Sequence, residues 1–195
     1  MRLIIFAPAY FLLSTVPANA DNGSEVAGKF FPLSVGNSWK FCETSPKKGH
    51  ERCVVWSISD KLKDGYVLQV NPSEDDISIL SERDGDIVDL DSGYHIFNSR
   101  AEVGRSWRYT EFNQKKKSYQ FVQFYITYKG YCYYGRNRIE ECISVSRSDP
   151  IINVYETVTY AESVGPVSIK TYSLDRRRLL ADMRLRKAII RRRLR

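Results

Sequence analysis

Histidine is nearly missing from this chain: His50 and His95 are the only two among 195 residues. Multi-histidine metal sites and histidine-based triads are therefore hard to assemble. No Gly-x-Ser-x-Gly, His-Glu-x-x-His, phosphate-binding glycine loop or Cys-x-x-Cys occurs either, so the familiar short catalytic signatures are absent. Two converging carboxylates could still build a hydrolase. With nothing else to support chemistry, the chain reads as non-enzymatic, with no cofactor and no metal. Past the first twenty residues no stretch is long and apolar enough to span a bilayer as a helix. No helix-period apolar run appears before residue 174.

What is present begins with a targeting pattern. Arg2 supplies a positive start, Leu3 to Val16 an apolar segment broken by Pro8, and Ala18-Asn19-Ala20 a small-x-small site. This is the arrangement of an export signal cleaved after Ala20. An uncleaved anchor is the alternative, although the apolar run falls short of the ~20 residues a spanning helix needs. Residues 1–20 are thus expected to be removed, leaving a periplasmic or secreted chain that starts with a flexible polar segment, 21–29. Asn22-Gly23-Ser24 would accept a glycan only in a eukaryotic host.

The net charge of +7 is unevenly placed. Asp175 to Arg195 holds ten Lys/Arg against two Asp, so residues 1–174 sum to −1. The body gives no electrostatic reason to expect nucleic acid or anionic lipid. The tail, 175–195, reads as a basic helix: good helix formers, no Gly or Pro, and Asp175 placed to cap it. At roughly 100° per residue, Leu179, Leu180, Met183, Ile190 and Leu194 cluster on one side while Arg177, Arg184, Arg192 and Arg195 lie away. Such a helix could lie on an anionic envelope surface, lipid or wall polymer, through Arg184, Arg191, Arg192 and Arg195. Each basic residue near the surface adds about 1 kcal/mol. A solvated, frayed extension is the other reading.

Four cysteines in an exported chain read as two disulfides. Of the three connectivities, Cys42–Cys53 and Cys132–Cys142 each bracket a hairpin and are favoured. If Cys42 lies opposite Cys53, Trp39 faces Trp56 and Phe41 faces Val54, and alternation places these four on one face. If Cys132 lies opposite Cys142, Tyr131 faces Ile143 and Tyr133 faces Glu141. A metal site from Cys42, His50 and Cys53 is the rival, but it lacks a fourth ligand and the usual spacing.

Two segments echo one another: Val35-Gly36-Asn37-Ser38-Trp39-Lys40-Phe41 and Val103-Gly104-Arg105-Ser106-Trp107-Arg108-Tyr109. Each reads as a glycine turn entering a strand with a large ring, suggesting related halves of about 30–98 and 99–174 within one β-rich domain, 30–174. Asp84-Gly85 between two alternating runs predicts a two-residue primed turn. The nearby Asp84, Asp86, Asp89 and Asp91 do not match a calcium loop and read as acidic hairpin edges. Tyr119 to Tyr134 is crowded with rings on both faces. They form either aromatic β-core or a platform for a sugar or lipid, with Trp39, Trp56, Trp107, Phe121, Phe124 and Tyr125 as candidates. Glu156 falls on the apolar side of its strand, which makes it the candidate polar site residue, whether paired or at a rim.

Pro32-Leu33-x-x-Gly36-x-x-Trp39, Gly104-x-x-Trp107, Glu140-Glu141-Cys142-Ile143-x-Val145 and Tyr160-Ala161-x-x-Val164-Gly165-x-Val167 together resemble a group of exported, β-rich bacterial proteins called TapB-like. The resemblance spans most of 30–172. It implies an exported β fold and brings no catalytic or binding residues with it.

The expected fold is all-β: an antiparallel curled sheet, sandwich or partly open barrel of about a dozen short strands from two related halves, plus the C-terminal basic helix. The expected function is an exported non-catalytic binding or structural module of the cell envelope, tethered by its basic tail. The alternative is a periplasmic carrier that holds an apolar ligand inside an aromatic-lined sheet.

Overall fold

The computed structural model describes residues 24–44, 51–71, 76–98, 100 and 102–191. The expected export signal, its cleavage site and residues 21–23 lie outside them. Alternating, turn-bounded segments become β1 (Ser38–Glu43), β2 (Cys53–Lys61), β3 (Tyr66–Val70), β4 (Ile77–Arg83), β5 (Asp86–Asp89) and β6 (Tyr94–Asn98). The second half supplies β7 (Ser106–Asn113), β8 (Ser118–Tyr134), β9 (Asn137–Asp149), β10 (Val154–Ala161), β11 (Gly165–Ser173) and β12 (Leu179–Ile189). Each set of six runs as an antiparallel meander, and the sheet order is β6-β5-β4-β3-β2-β1-β12-β11-β10-β9-β8-β7. First and last strands therefore pair at the middle, and the sheet curls into a nearly closed barrel.

The outer edges, β6 and β7, meet through side chains. Trp107 donates its indole N–H to the His95 carbonyl at 2.7 Å, and the His95 N–H donates to the Tyr109 hydroxyl oxygen at 2.8 Å. Tyr94 and Tyr109 stack beside them with ring centroids 4.6 Å apart. An edge strand otherwise leaves its backbone groups unpaired. Here two rings from β7 satisfy both backbone groups of one residue in β6.

The two glycine turns have the same geometry. Gly36 and Gly104 take φ of 88° and 89°, a region open to glycine at little cost. Their N–H groups donate to the carbonyls of Ile58 and Ile126, both at 2.8 Å. The return bonds run from the Ile58 N–H to Asn37 and from the Ile126 N–H to Arg105, at 2.9 and 3.0 Å. The Asp84-Gly85 turn has both residues at positive φ, 51° and 83°, as a primed hairpin turn requires.

Both local disulfides form. In the first hairpin Cys42 pairs with Cys53, Phe41 with Val54 and Trp39 with Trp56. The second hairpin departs from direct opposition. Gly130 pairs with Cys142 and Cys132 with Ile139, because the ladder shifts register between Gly130 and Cys132. The Cys132–Cys142 bridge therefore runs diagonally, with Cα atoms 5.9 Å apart.

Two expectations at the ends of the domain are overturned. Residues 179–189, expected within a basic helix, form β12, which is hydrogen-bonded between β1 and β11. Alternation sends Ala181, Met183 and Leu185 inward, and a bulge opposite Lys40/Phe41 then shifts the phase so that Ala188 and Ile190 pack on the core instead. The open slot between two edge strands outweighs local helix preference, because a strand there satisfies three backbones at once. At the other end, Ser24–Phe30, which overlaps the segment 21–29 expected to be flexible, is the helix α1. Ala27, Phe30 and Phe31 are buried, with Phe30 against Phe97 and Phe31 against Trp39 and Tyr160. Asn37, fully buried, joins the two ends by donating to the Pro32 carbonyl and accepting from the Arg191 N–H.

Candidate functional site

The candidate aromatics divide between core and surface and do not converge. Trp39 is fully buried, packs on Phe31 and donates its indole N–H to the Val164 carbonyl at 2.7 Å. Trp56 packs edge-on against Phe41, and Trp107 stacks on Phe124, which is buried. These inward rings rest on one another. Phe121 faces out and is half exposed, with the Arg108 guanidinium 4.6 Å from its centroid, and Tyr125 is half-buried on the same outward side. The sulfur atoms of Cys42 and Cys53 lie near Glu51, but as a disulfide they offer no thiolate to a metal. His50 lies outside the described residues.

Glu156 points inward at the end of the barrel away from α1. Register sets it beside Arg147 on β9 and Thr171 on β11, with Phe124 next along the same row. Arg147 is paired with Asp149, a buried carboxylate that also accepts the Ile151 N–H at 2.9 Å. Burial pushes the Glu156 carboxyl above its usual range; the Arg147 charge and a hydrogen bond with Thr171 pull it back in part, and Asp149 adds to the rise. Deeper in, burial and then the Glu156 charge raise the Tyr160 phenol. The group holds a carboxyl inside a barrel by surrounding it with polar partners.

The other face of the sheet carries a different array. Cross-strand register aligns Tyr128, Ser144, Thr159, Ser168 and Arg184 on β8 to β12. A second row runs through Ser146, Thr157, Lys170 and Asp182. Ser144 and Thr159 hydroxyls are 2.9 Å apart, Ser146 and Thr157 2.7 Å, and Thr127 reaches Ser146 at 3.1 Å. A trough of about 330 Å³ lies over these rows, with Tyr128, Tyr172, Lys170 and Arg184 among its walls. Arg184 pairs with Asp182 at 3.2 Å, while half-buried Lys170 makes no ion pair among the described residues. Along β12 and across to β1 the outward cations continue as Lys187 and Lys40, which are cross-strand partners and both exposed, and exposed Arg186, which pairs with Glu51 at 3.5 Å.

Of the expected surface contacts, Arg184 thus faces out from a strand. Arg191 folds against the first glycine turn, where its guanidinium lies close over Gly36. Arg192 and Arg195 lie outside the described residues. The sequence reading passed over Lys40, Lys170, Lys187 and the serine and threonine hydroxyls. A trace of the hydroxyls was there, as Ser144-x-Ser146 and Thr157-x-Thr159 alternate in neighbouring strands.

No protein-family model matches the chain, and no curated protein matches it. The TapB-like resemblance has no support from these comparisons. Two solved structures are similar to this chain over most of its length. One is a Bacteroides fragilis protein described as exported and YmcC-like in fold, 9% identical, covering 83% of this chain and 99% of its own, with a TM-score of 0.43. The other is a Parabacteroides distasonis protein described as a lipoprotein, 11% identical, covering 82% of this chain and 98% of its own, with a TM-score of 0.39.

Proposed function

We propose that the chain is an exported, non-catalytic binding module of the cell envelope, held to an anionic surface by the outward face of β11, β12 and β1. The observation that carries this reading is the set of outward cations on three adjacent strands: Lys170, Arg184, Arg186, Lys187 and Lys40. Asp182 and Glu51 answer only the two arginines. Export rests on the targeting pattern of residues 1–20. The non-catalytic reading is supported by the inward charges, since Arg147 sits between Asp149 and Glu156 and Thr171 hydrogen-bonds Glu156.

A strand face suits this role better than a loose helix would, because the backbone that carries the charges is already ordered and less ordering cost remains on binding. The test is co-sedimentation with vesicles containing phosphatidylglycerol. Binding is expected to fall at least tenfold in a Lys40→Glu/Lys187→Glu variant and to weaken steeply with salt. Equal sedimentation of the variant and the natural chain would reject the reading.

A further inference from the structure

The hydroxyl trough beside the basic face has features that a plain sheet exterior does not need. Serine and threonine are common on outward strand faces, where they normally contact water. Here Ser144 is 7% exposed and Ser168 5%, although both face away from the barrel core. They are sunk between larger walls. The trough they floor, about 330 Å³, sits at the small end of the ~300–1,000 Å³ usual for ligand sites.

We infer that this trough is a saccharide site, and that its ligand is an acidic sugar whose carboxylate pairs with Lys170. The inference rests on the proposed anionic surface only in sharing Lys170 and Arg184 with it.

The chemistry follows from the groups present. A hydroxyl has one donor and two acceptor positions, so the Ser144–Thr159 bond and the Thr157 bond to Ser146 leave capacity unused on Ser144, Thr159 and Thr157, which line the trough. Sugar hydroxyls have the same dual character and can take up that remainder whichever way each proton turns. Neighbouring strands set the side chains about 5 Å apart, close to the width of one pyranose ring. Tyr128 and Tyr172 line the trough and bring aromatic surface on which the C–H face of a sugar can rest. An uncharged sugar would use all of this and leave Lys170 idle. Lys170 makes no ion pair among the described residues, and Asp182, its cross-strand partner, is engaged by Arg184, so a ligand carboxylate would find the ammonium open to it. A lipid chain would meet a floor of hydroxyls and gain little. A bare inorganic anion would engage the cations but not the hydroxyl rows or the rings.

The experiment titrates the full exported chain with trigalacturonate, with its methyl ester, which keeps the sugar and removes the charge, and with citrate as a non-sugar polyanion. Chemical-shift changes are followed by NMR. Trigalacturonate is expected to bind at least tenfold more tightly than either control. Lys170→Gln is expected to erase its advantage over the ester. Ser168→Ala, which removes a hydroxyl that makes no bond among the described residues, should weaken it several-fold at unchanged thermal midpoint and leave vesicle binding intact. Equal affinity for citrate, no saturable trigalacturonate binding, or indifference to both variants would each overturn the inference. Loss of vesicle binding in Lys40→Glu/Lys187→Glu bears on the anionic surface alone. Sugar binding that survives a failed vesicle assay would leave this inference standing and remove the other.

Discussion

The two halves of the barrel are joined twice, and by different means. At the β1/β12 junction six residues of β1 have main-chain partners on β12. At the β6/β7 junction an indole and a phenol complete the backbone hydrogen bonding of His95. A backbone ladder accepts almost any side chain, whereas a seam made from Trp107 and Tyr109 works only with those groups in place. The first junction gives the barrel its continuity, and the second gives it a specific closure.

The comparison can be broken most severely at the ladder. Ending the chain after Leu174 removes β12, takes Met183 and Leu185 from the core and exposes β1 and β11 as edges. Loss of cooperative thermal unfolding and of near-ultraviolet circular dichroism is expected. A truncated chain that still melted sharply would show that the halves fold without their central joint.

A smaller effect distinguishes the two related tryptophans. Trp39→Phe empties volume at a fully buried site and leaves the Val164 carbonyl without its donor, for a cost of about 3 kcal/mol. Trp107→Phe at the half-exposed seam should cost about 1 kcal/mol, mostly the lost bond to His95. Urea denaturation would rank them. The reverse order would mean that the side-chain seam, and not the interior, sets stability. Trp39 also explains a nearby glycine: at Gly165, φ 95°, a Cβ would come within 2.6 Å of the indole nitrogen.

The smallest effect concerns Glu156, whose row lies in the second half. Its raised folded value means that the native state holds the proton more tightly than the unfolded chain. The stabilising contribution is full below the ordinary value of 4.5 and is lost as pH rises through the raised folded value. Glu156→Gln should therefore match the natural chain near about pH 4 and gain on it as pH rises. Melting midpoints across this range would check the sign; a variant that loses ground with rising pH would show the ionised Glu156–Arg147 contact to be stabilising on balance.

Much of the first hairpin was legible in the sequence because local rules govern it. Paired cysteines gave its register, and Trp39, Phe41 and Trp56 followed by alternation. The turn at Asp84-Gly85 and the two glycine turns were readable for the same reason: their geometry depends on the residues within them. The second disulfide was identified but not its register, since the shift beside Gly130 depends on how β8 meets β9. The last strand was misread. Its bulge interrupts the period-2 pattern after Leu185, and leucines, arginines and lysine otherwise favour helix. Glu156 was found by its break in alternation. Its partners Arg147 and Thr171 were not, because they come from other strands.

The sequence by itself determined the elements whose causes are local: turn-bounded strands, hairpin clips, ring-bearing strand starts and a strongly basic last segment. Only the tertiary structure decided where that segment goes and what it faces. A strand's neighbours are chosen by unpaired edges elsewhere in the chain, and no window of residues carries that information. The same holds for the hydroxyl rows, in which Ser144, Thr159 and Ser168 become neighbours through the register of three strands rather than through any spacing along one.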